Sequence, residues 1–312
     1  MNSIRPIPKP IIKWLGGKTQ LLDKLISEFP ETMNNYHEIF VGGGSVLLAI
    51  LTMKTNGKIH VNGTVFAYDA NEALISLYKN IQSRPNELYD MIQSLIVKMN
   101  ECHDTEIIRK PKTIEEGNTS KESYYYWVRH QYNILTQDEK NTLLGSSLFV
   151  FLNKTCFRGV FRLNAKGNYN VPFGHYKDPE IINRTHLLEI SGLIRDVVFE
   201  CCDFTVSLKR VVSDDFVYMD PPYAPENEQS FVGYTENGFV KEKHVELFKL
   251  SKELNIKNIR MIMSNADVEL VHQNFPIEEF EKIKILCKRR INSKNPESKA
   301  GELFIKNYNI VS

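Results

Sequence analysis

An acid, two prolines and a tyrosine stand in a row at Asp220-Pro221-Pro222-Tyr223, directly after the apolar run Phe216–Met219. A proline pushes the residue before it toward extended backbone and has no N–H group, so this turn offers mainly hydrogen-bond acceptors. A carboxylate and a neighbouring carbonyl can accept both hydrogens of an exocyclic amino group, while the tyrosine ring stacks on the base that carries it. The alternative is a strand-ending turn whose aspartate only caps the next segment.

Two further segments have the composition of a ligand site after a strand. Residues 38–41 lead into Gly42, Gly43 and Gly44, and residues 65–68 lead into Asp69. Glycines let the backbone approach a ligand, and the N–H groups of a following helix attract its negative end. Each signal is weak alone, because tight turns need glycine and aspartate also caps helices. Together with Asp220 they describe a pocket for a ribose-bearing cofactor beside an amine-activating turn.

The elements that must position these residues alternate between strand and helix. Strands are predicted at residues 38–41, 65–68, 197–201, 216–219, 259–263, 283–287 and 302–306, and helices after the glycine turn, at 73–81 and at 245–254. From about residue 86 to 177 the alternation stops. Helical stretches at 124–132 and 143–152 occur there. The aromatic residues 124–127 could stack on nucleic acid, but packing inside the inserted domain is expected. An α/β sheet interrupted by one insertion is the simplest interpretation.

Composition limits the class of protein. The chain of 312 residues is 42% hydrophobic, which suits an α/β core with a smaller second domain. It shows neither a membrane span nor a signal-peptide core, so a reducing compartment, the cytoplasm, is expected. Five cysteines without paired spacing argue against disulfides and a zinc site, and no metal is expected. The net charge of +1 leaves any nucleic-acid interpretation to local clusters.

Two stretches without an acid concentrate positive charge, one at residues 1–22 and one at 153–177. The second carries Lys154, Arg158, Arg162, Lys166 and Lys177. The first four of these recur every fourth residue, which suggests a helix face, but Gly159, Gly167 and the alternation through residues 160–164 favour a β-hairpin. Both stretches are also compatible with ordinary solvated surface.

Six short strings, in a fixed order, carry a family resemblance. They are KWLGGK from Lys13, EIFVGGGSV from Glu38, YDAN from Tyr68, CDF from Cys202, VYMDPPYAP from Val217 and MSNAD from Met263. They resemble the Dam-type adenine-N6 DNA methyltransferases, and the likeness extends through residues 152–174, 231–239 and 289–292. It implies a Rossmann-like methyltransferase sheet with an inserted helical and β-hairpin DNA-recognition domain. It also implies S-adenosylmethionine as cofactor and a flipped-out adenine of duplex DNA as substrate.

The resemblance divides the chain into a cofactor-binding part (residues 1–85), an inserted target-recognition domain (86–178) and a catalytic part (179–312). Asp220, Pro221, Pro222 and Tyr223 match the catalytic tetrad. The cofactor-binding residues it implies are Trp14, Lys18, Phe40, Gly42, Gly43, Gly44, Asp69, Asp203, Phe204 and Asp220. The DNA-binding residues are Asn153, Phe157, Arg158, Val160, Arg162 and Asn164. Among these, Arg162 is the leading base reader, supported by Asn153 and Asn164, while Phe157 and Val160 are candidate wedges.

The sequence departs from the bacterial Dam enzymes in the hairpin. Phe157 stands where tyrosine is usual, Arg158 where asparagine is usual and Val160 where leucine is usual, and residues 55–63 lengthen an earlier connection. GATC is the favoured target, based on Arg162, and a restriction endonuclease with the same target is a candidate partner. Two other functions stay open: methylation of an amine in RNA or of a protein glutamine, and DNA binding without catalysis. Asp220 and the hairpin favour adenine in DNA.

Overall fold

The computed structural model describes residues 4–225, 239–288 and 299–309. Residues 231–238 and 289–292, which share the family resemblance, lie outside these ranges. Within the described ranges, no helix combines the length and the apolar character that a membrane crossing needs.

The strands form two sheets. In chain order they are β1 (Thr32–Met33), β2 (Tyr36–Glu38), β3 (His60–Val61), β4 (Val65–Asp69), β5 (Val198–Cys201), β6 (Phe216–Met219), β7 (Arg260–Ala266), β8 (Glu281–Lys288) and β9 (Lys299–Lys306). A seven-stranded sheet has the order β5-β4-β2-β6-β7-β9-β8, and β1 pairs with β3 in a separate two-stranded sheet.

The strand directions in the large sheet confirm the predicted fold class. β2 is parallel to β4 and β6, and β6 is parallel to β7, whereas β9 is antiparallel to both β7 and β8. Parallel strands thus lie on both sides of β2, with β4 on one side and β6 and β7 on the other. This is the doubly wound arrangement of a Rossmann-like sheet. The strand predicted at 38–41 was placed too late: Tyr36 already pairs with Val65 and Phe216, β2 ends at Glu38, and residues 39–41 follow it.

The helices follow the predicted alternation. In chain order they are α1 (Leu22–Ile26), α2 (Ser45–Thr55), α3 (Glu72–Ser83), α4 (Pro85–Asn100), α5 (Ile114–Gly117), α6 (Lys121–Ile134), α7 (Gln137–Lys140), α8 (Leu143–Thr155), α9 (Arg184–Leu193), α10 (Phe204–Ser207), α11 (Lys241–Ile256) and α12 (Glu269–Asn274). Single 3-10 turns cover Phe157–Gly159 and Leu208–Arg210. All four helices predicted by residue range lie within α3, α6, α8 and α11.

The chain forms two compact units. The helical unit comprises Met1–Thr19, Gly42–Thr52 and Asn71–Phe199, and the sheet unit comprises Gln20–Val41, Met53–Ala70 and Glu200–Ser312. The three-part division of the sequence at residues 85 and 178 concerns function and stays a prediction.

In the sheet unit, β6 lies in the interior. All four of its residues are buried, as expected for a parallel strand that is covered on both faces. Val217 and Met219 pack in the same cluster as Phe248 of α11. Phe216 packs against Phe29, with ring centroids 4.8 Å apart. The residue that follows β6 therefore starts from a rigid position.

The amino end of β6 is held by the buried carboxylate of Asp215. It accepts hydrogen bonds from the side chains of Asn34 (3.0 Å) and Asn35 (2.8 Å) and from the backbone N–H of Val212 (3.1 Å), and it lies 3.0 Å from His37 Nε2. Burial alone would raise the pKa of Asp215, but hydrogen bonds from Val212, Asn35 and His37 outweigh it and hold this pKa below its usual value. Burial lowers the pKa of His37, against the opposing effect of Asp215, so a neutral imidazole fits this site.

The helical unit is rich in buried tyrosine. Tyr124, Tyr125 and Tyr126 of α6 are each at most 8% exposed, so these three residues of the aromatic stretch at 124–127 pack inside the protein, while Trp127 is partly exposed. The Tyr125 hydroxyl donates to the Val171 carbonyl at 2.8 Å. Asn133 bonds both the N–H (2.8 Å) and the carbonyl (3.0 Å) of Tyr169. These contacts tie α6 to the basic segment that was predicted to read DNA.

Candidate active site

The carboxyl ends of four parallel strands meet at one edge of the large sheet. β2, β4, β6 and β7 all run in the same direction, so the residues that follow them share this edge. Phe40 comes shortly after β2, Asp69 ends β4, and Asp220 follows β6. The sheet unit thus brings three of the predicted site residues to the edge where open α/β sheets bind ligands.

The predicted catalytic turn leaves the sheet between β2 and β7. β6 ends at Met219, because the prolines that follow cannot donate to a strand ladder. Pro221 is buried and Pro222 is exposed, whereas Asp220 and Tyr223 are partly exposed. The Asp220 carboxylate is therefore presented at the edge of the sheet, directly beyond a fully buried strand.

A buried amide from β7 fixes the backbone after the turn. The Asn265 side chain is fully buried, and its Oδ1 accepts the N–H of Ala224 at 3.0 Å and that of Ala266 at 2.9 Å. Buried polar groups are retained where their hydrogen bonds are made. Asn265 therefore locks residue 224, immediately after Tyr223, to the neighbouring strand.

Two tyrosine hydroxyls lie within the electrostatic influence of Asp220. Tyr223 donates to Glu302 Oε1 at 2.5 Å. The pKa of Tyr223 is raised well above its usual value, mainly by burial and further by the negative charges of Asp220 and Glu302. Burial and Asp220 likewise raise the pKa of Tyr218, whose hydroxyl lies 3.2 Å from Ser264 Oγ. Both phenols are therefore neutral at physiological pH.

Three phenylalanines form an aromatic cluster in the sheet unit. Ring centroids are 5.9 Å apart between Phe40 and Phe204, 5.9 Å between Phe40 and Phe239, and 5.5 Å between Phe204 and Phe239. Phe204 is buried, while Phe40 and Phe239 are partly exposed. Partly exposed aromatic faces are suited to a flat heterocycle.

A backbone hydrogen bond links the chain segments that carry Asp69 and Asp203. The Cys202 N–H donates to the Asp69 carbonyl at 3.2 Å, which brings the end of β5 and Asp203 beside the end of β4. Asp203 Oδ1 accepts the N–H (3.0 Å) and hydroxyl (2.7 Å) of Thr205, and Oδ2 lies 3.6 Å from Lys243 Nζ. Burial would raise the pKa of Asp203, but Thr205 and Lys243 outweigh it and lower this pKa. Asp203 is thus an anion that caps α10.

The alternative role of Asp69 as a helix cap does not apply. The N-cap of α3 is Asn71, whose side chain accepts the Leu74 N–H at 3.1 Å. Asp69 ends β4 as a partly exposed residue, so its carboxylate belongs to the carboxyl edge of the sheet.

The glycine turn belongs to the helical unit. Gly42 and Gly44 have φ of +48° and +75°, a backbone region that favours glycine. A Cβ at Gly42 would lie 2.9 Å from the Trp14 ring, and one at Gly44 would lie 2.7 Å from the Tyr78 hydroxyl. That hydroxyl donates to the Gly42 carbonyl at 2.8 Å. The absence of a Cβ at these glycines thus allows Trp14 and Tyr78 to pack against the turn.

Lys18 lies near the same turn within the helical unit. It is only 4% exposed, its backbone N–H donates to Ser45 Oγ at 3.2 Å, and its Nζ donates to the Gly16 carbonyl at 3.2 Å. The solvated surface that was left open for residues 1–22 therefore does not include the side chain of Lys18. Its contact with a cofactor stays a prediction.

The basic segment forms an arm, residues 156–173, that is a hairpin without regular strands. Isolated antiparallel bridges join Cys156 to Phe173 and Leu163 to Tyr169. At the tip, Asn164 Oδ1 accepts the N–H groups of Lys166 and Asn168, each at 3.0 Å. The predicted hairpin is thus present, but it begins after α8, and Asn153 and Lys154 belong to that helix.

The predicted DNA-reading residues occupy different positions on this arm. Arg162 is exposed, and its guanidinium donates to the Asn170 side chain at 2.7 Å and to the Asn170 carbonyl at 3.2 Å. Phe157 is 48% exposed, with the Arg158 guanidinium 5.2 Å from its ring centroid. Val160 is partly exposed. An exposed arginine and an exposed aromatic ring are available to a partner.

Asn153 supports the arm from inside. Its amide is fully buried and bonds both the N–H and the carbonyl of Lys13, each at 2.8 Å, and the Gly159 carbonyl at 3.1 Å. A Cβ at Gly159 would collide with the Lys13 side chain. Asn153 therefore acts on the arm through its position, and direct contact of Asn153 with a base would require these bonds to break.

The sequence of this chain matches one family over nearly its whole length. The sequence model of the family of D12 class N6 adenine-specific DNA methyltransferases matches residues 14–285. The chain belongs to this family. It is accordingly an adenine-specific DNA methyltransferase, as the six strings in the sequence predicted.

Relatives of this D12 methyltransferase span the same length. The type II methyltransferase M.MjaIII of Methanocaldococcus jannaschii is 32% identical, over 96% of this chain and 99% of the relative. The DNA adenine methylase of Haemophilus influenzae is 30% identical, over 96% and 93%. The DNA adenine methylase of Escherichia coli K12 is 28% identical, over 91% and 90%. The described part of the D12 chain contains no group of three or more His, Cys, Asp or Glu suited to a metal ion.

Three residues at the site of this D12 methyltransferase were missed from the sequence. Asn265 belongs to the string MSNAD but was given no role. The feature that could have indicated one is an amide side chain within an otherwise apolar strand. Glu302 and Lys243 gave no local signal, since their contacts with Tyr223 and Asp203 span 79 and 40 residues of chain. Contacts of such separation depend on the fold.

Proposed function

We propose that this D12 methyltransferase transfers a methyl group from S-adenosylmethionine to N6 of an adenine rotated out of a DNA duplex. The observation that carries this proposal is the position of Asp220. It directly follows the fully buried strand β6 at the carboxyl edge of the sheet, in a turn that is held by Asn265. An acid on so rigid a support suits a reaction that depends on exact placement of an amine.

The turn would act by hydrogen bonding. The Asp220 carboxylate and the Pro221 carbonyl each accept one hydrogen of the adenine amino group, so that its lone pair is less delocalised into the ring and points toward the electrophile. Tyr223 stacks on the base as a neutral phenol, in keeping with its raised pKa. After transfer the nitrogen carries one proton too many, and we assign Asp220 as the group that accepts it.

The sheet unit has side chains that fit S-adenosylmethionine. When bound, this molecule supplies a methyl group made electrophilic by a sulfonium. Asp69 would accept hydrogen bonds from the ribose hydroxyls, and Phe40 and Phe204, with Phe239 beside them, would contact the adenine ring. Asp203, held as an anion by Thr205 and Lys243, can accept from the cofactor's adenine amino group. The roles of Trp14, Lys18, Gly42, Gly43 and Gly44 rest on the family resemblance.

DNA would be read by the arm at residues 156–173. Rotating a base out of the stack costs a few kcal/mol, which contacts with the duplex must offset. Exposed Phe157, with Val160, is suited to fill the gap in the stack, and exposed Arg162 is suited to a bidentate contact with guanine. GATC is the proposed target. Because one relative is a type II methyltransferase, a restriction endonuclease of the same specificity is a proposed partner.

The test is transfer of tritiated methyl from S-adenosylmethionine to duplex DNA by wild type and by Asp220→Ala, with Asp104→Ala, an exposed acid of the helical unit, as the matched control. Wild type and the control should label DNA, the label should run with N6-methyladenine after digestion, and Asp220→Ala should be inactive. Equal labelling by Asp220→Ala, or label in another base, would contradict the proposal. Sequencing of modified sites separately tests GATC.

A further inference from the structure

Glu302 makes a contact with the proposed catalytic turn that nothing in the local sequence suggests. It lies on β9, opposite Ala266 of β7 in the antiparallel ladder, and its side chain is partly buried. The hydroxyl of Tyr223 donates to its Oε1 at 2.5 Å. A strand two places away from β6 thus reaches the aromatic ring of the tetrad.

The direction of this hydrogen bond is fixed by charge. Burial, Asp220 and Glu302 all favour the protonated phenol of Tyr223, so the tyrosine donates and the carboxylate accepts. Hydrogen bonds to an ionised acceptor are roughly twice as strong as neutral ones. The bond therefore restrains the far end of the ring, while the backbone near the ring is restrained by Asn265 through Ala224.

A ring that stacks on a base must keep its plane parallel to that base. A tyrosine restrained only at its Cα can swing about two side-chain torsions, and the loss of a defined plane lowers the fraction of productive complexes. The phenolic oxygen lies on the axis of the second torsion, so the bond to Glu302 fixes the first torsion, and the preference of a phenol O–H for the plane of its own ring limits rotation about the second.

We propose that Glu302 is a positioning residue, which holds the Tyr223 ring in the plane that stacks on the target adenine. This inference rests on the proposed function, because it assigns a support to the residue that stacks. Glu302 would act through Tyr223 and would not touch the base or the cofactor.

A purely structural role is the competing explanation. β9 pairs with β7 over five residues and with β8 over eight, so the ladder does not depend on one side chain. If Glu302 only tied the turn to the sheet, its loss would lower the melting temperature and leave the stacking of a bound base unchanged. Measurements of stability and of stacking on the same variants separate the two roles.

The experiment compares Glu302→Ala, Glu302→Gln, Tyr223→Phe and the double variant Tyr223→Phe/Glu302→Ala. Steady-state kinetics gives kcat and KM, and a duplex with 2-aminopurine at the target position reports by fluorescence how the displaced base is stacked. Glu302→Ala should lower kcat about tenfold, leave KM for S-adenosylmethionine unchanged and brighten the fluorescence. Glu302→Gln keeps an acceptor and should fall between Glu302→Ala and wild type. The double variant should be no slower than Tyr223→Phe, because the two side chains act as one unit.

Matched controls exclude general destabilisation. Tyr308, just after β9, donates its hydroxyl to the Glu28 carbonyl at 2.5 Å, so Tyr308→Phe removes an equivalent bond elsewhere in the sheet unit. Glu278→Ala removes an exposed acid. Both should keep wild-type kcat and fluorescence, whatever their melting temperature.

Three outcomes overturn the inference: wild-type kcat and fluorescence in Glu302→Ala, a lower melting temperature with unchanged fluorescence, or losses that multiply in the double variant. If Glu302→Ala does not fold, Glu302→Gln decides alone, since a lower kcat with brighter fluorescence supports the inference and wild-type values overturn it. Asp220→Ala is assayed in parallel. Its activity tests the proposed function separately, because an inactive Asp220→Ala beside a normal Glu302→Ala rejects only the role of Glu302.

Discussion

The catalytic turn and the recognition arm are held in different ways. The turn follows a strand with four buried residues, and residues from two other strands, Asn265 and Glu302, bond to it. The arm has two isolated bridges in place of a ladder and carries its candidate reading residues, Phe157 and Arg162, exposed. The residues proposed for chemistry, which is common to many targets, follow a buried strand. Those proposed for target choice lie exposed on a hairpin without regular strands.

The largest effect is expected from a substitution that abolishes the proposed chemistry of the turn and leaves the arm unchanged. Asp220→Asn keeps the size of the side chain but replaces one acceptor oxygen by a donor, so it cannot bind the amino group as the carboxylate does. We expect kcat to fall about 10²–10⁴-fold, with DNA affinity within a factor of a few of wild type. Methyl transfer and gel-shift titration on the same preparation measure both. A parallel loss of DNA affinity would show that the two regions are not separable in this way.

The second-largest effect is expected from a substitution that removes a side chain bonded to the backbone after the turn. Asn265→Ala leaves the N–H groups of Ala224 and Ala266 without their buried acceptor, at a cost of about 2–4 kcal/mol in unfolding free energy, and kcat should fall as well. Urea titration and methyl transfer measure the two quantities.

Asn307→Ala is the matched control for Asn265→Ala. Asn307 accepts the Met261 N–H at 2.8 Å and donates to the Ile259 carbonyl at 2.9 Å, at the amino end of β7. Its loss should cost similar stability and leave kcat unchanged. If both variants lose kcat in proportion to their stability, Asn265 has no special relation to the turn.

The third effect concerns the arm. Arg162→Ala should reduce discrimination at one base pair by about 1–3 kcal/mol while kcat on the best duplex stays near wild type. A panel of duplexes, each with one altered base pair, measures kcat/KM for each. Lys166→Ala, another exposed cation of the arm, should weaken binding evenly across the panel. An unchanged order of preference in Arg162→Ala would remove this residue from target choice.

The same two regions show what the sequence could and could not predict. The fold and the residues Asp69 and Asp220 followed from apolar runs that end in an acid, because strand and turn signals are local. The hairpin was also predicted from Gly159 and Gly167, but Asn153 and Lys154, which were assigned to the same basic segment, belong to α8. The continuous apolar pattern of α8 extends the helix through Thr155, and Asn153 is buried by a contact with Lys13 that lies 140 residues away. Local spacing contains no information about such a contact.

Glu302 is the clearest case of a residue beyond the reach of local signals. Nothing in residues 299–306 distinguishes it from any acid on a strand. Its relation to Tyr223 depends on β9 entering the sheet between β7 and β8, an order that is set by the pairing of distant strands. Motifs therefore predicted the side chains that are proposed to meet the substrate, and the fold shows which side chains contact them.

The smallest expected effect is a dependence of stability on pH that belongs to the sheet unit. Burial lowers the pKa of His244 to about 4, against a hydrogen bond with the Phe239 backbone that raises it, and burial also lowers the pKa of His37. Because the unfolded chain binds these protons near pH 6.5 and the folded chain does not, stability is fully present above that pH and is lost as the pH falls toward 4. We expect a loss of about 1 kcal/mol between pH 7 and 5.5, once partial solvent access is allowed for.

Urea titrations at several pH values measure this slope, and His244→Gln should flatten it while His130→Gln, at an exposed histidine of the helical unit, should leave it unchanged. Because His244 packs on Phe239 with ring centroids 4.8 Å apart, and Phe239 in turn packs on Phe40 and Phe204, protonation would disturb the aromatic cluster proposed for the cofactor before it disturbs the arm. Affinity for S-adenosylmethionine should therefore decrease as the pH is lowered through the range in which stability is lost. An equal slope in wild type and His244→Gln would place the titrating group elsewhere and separate cofactor affinity from this histidine.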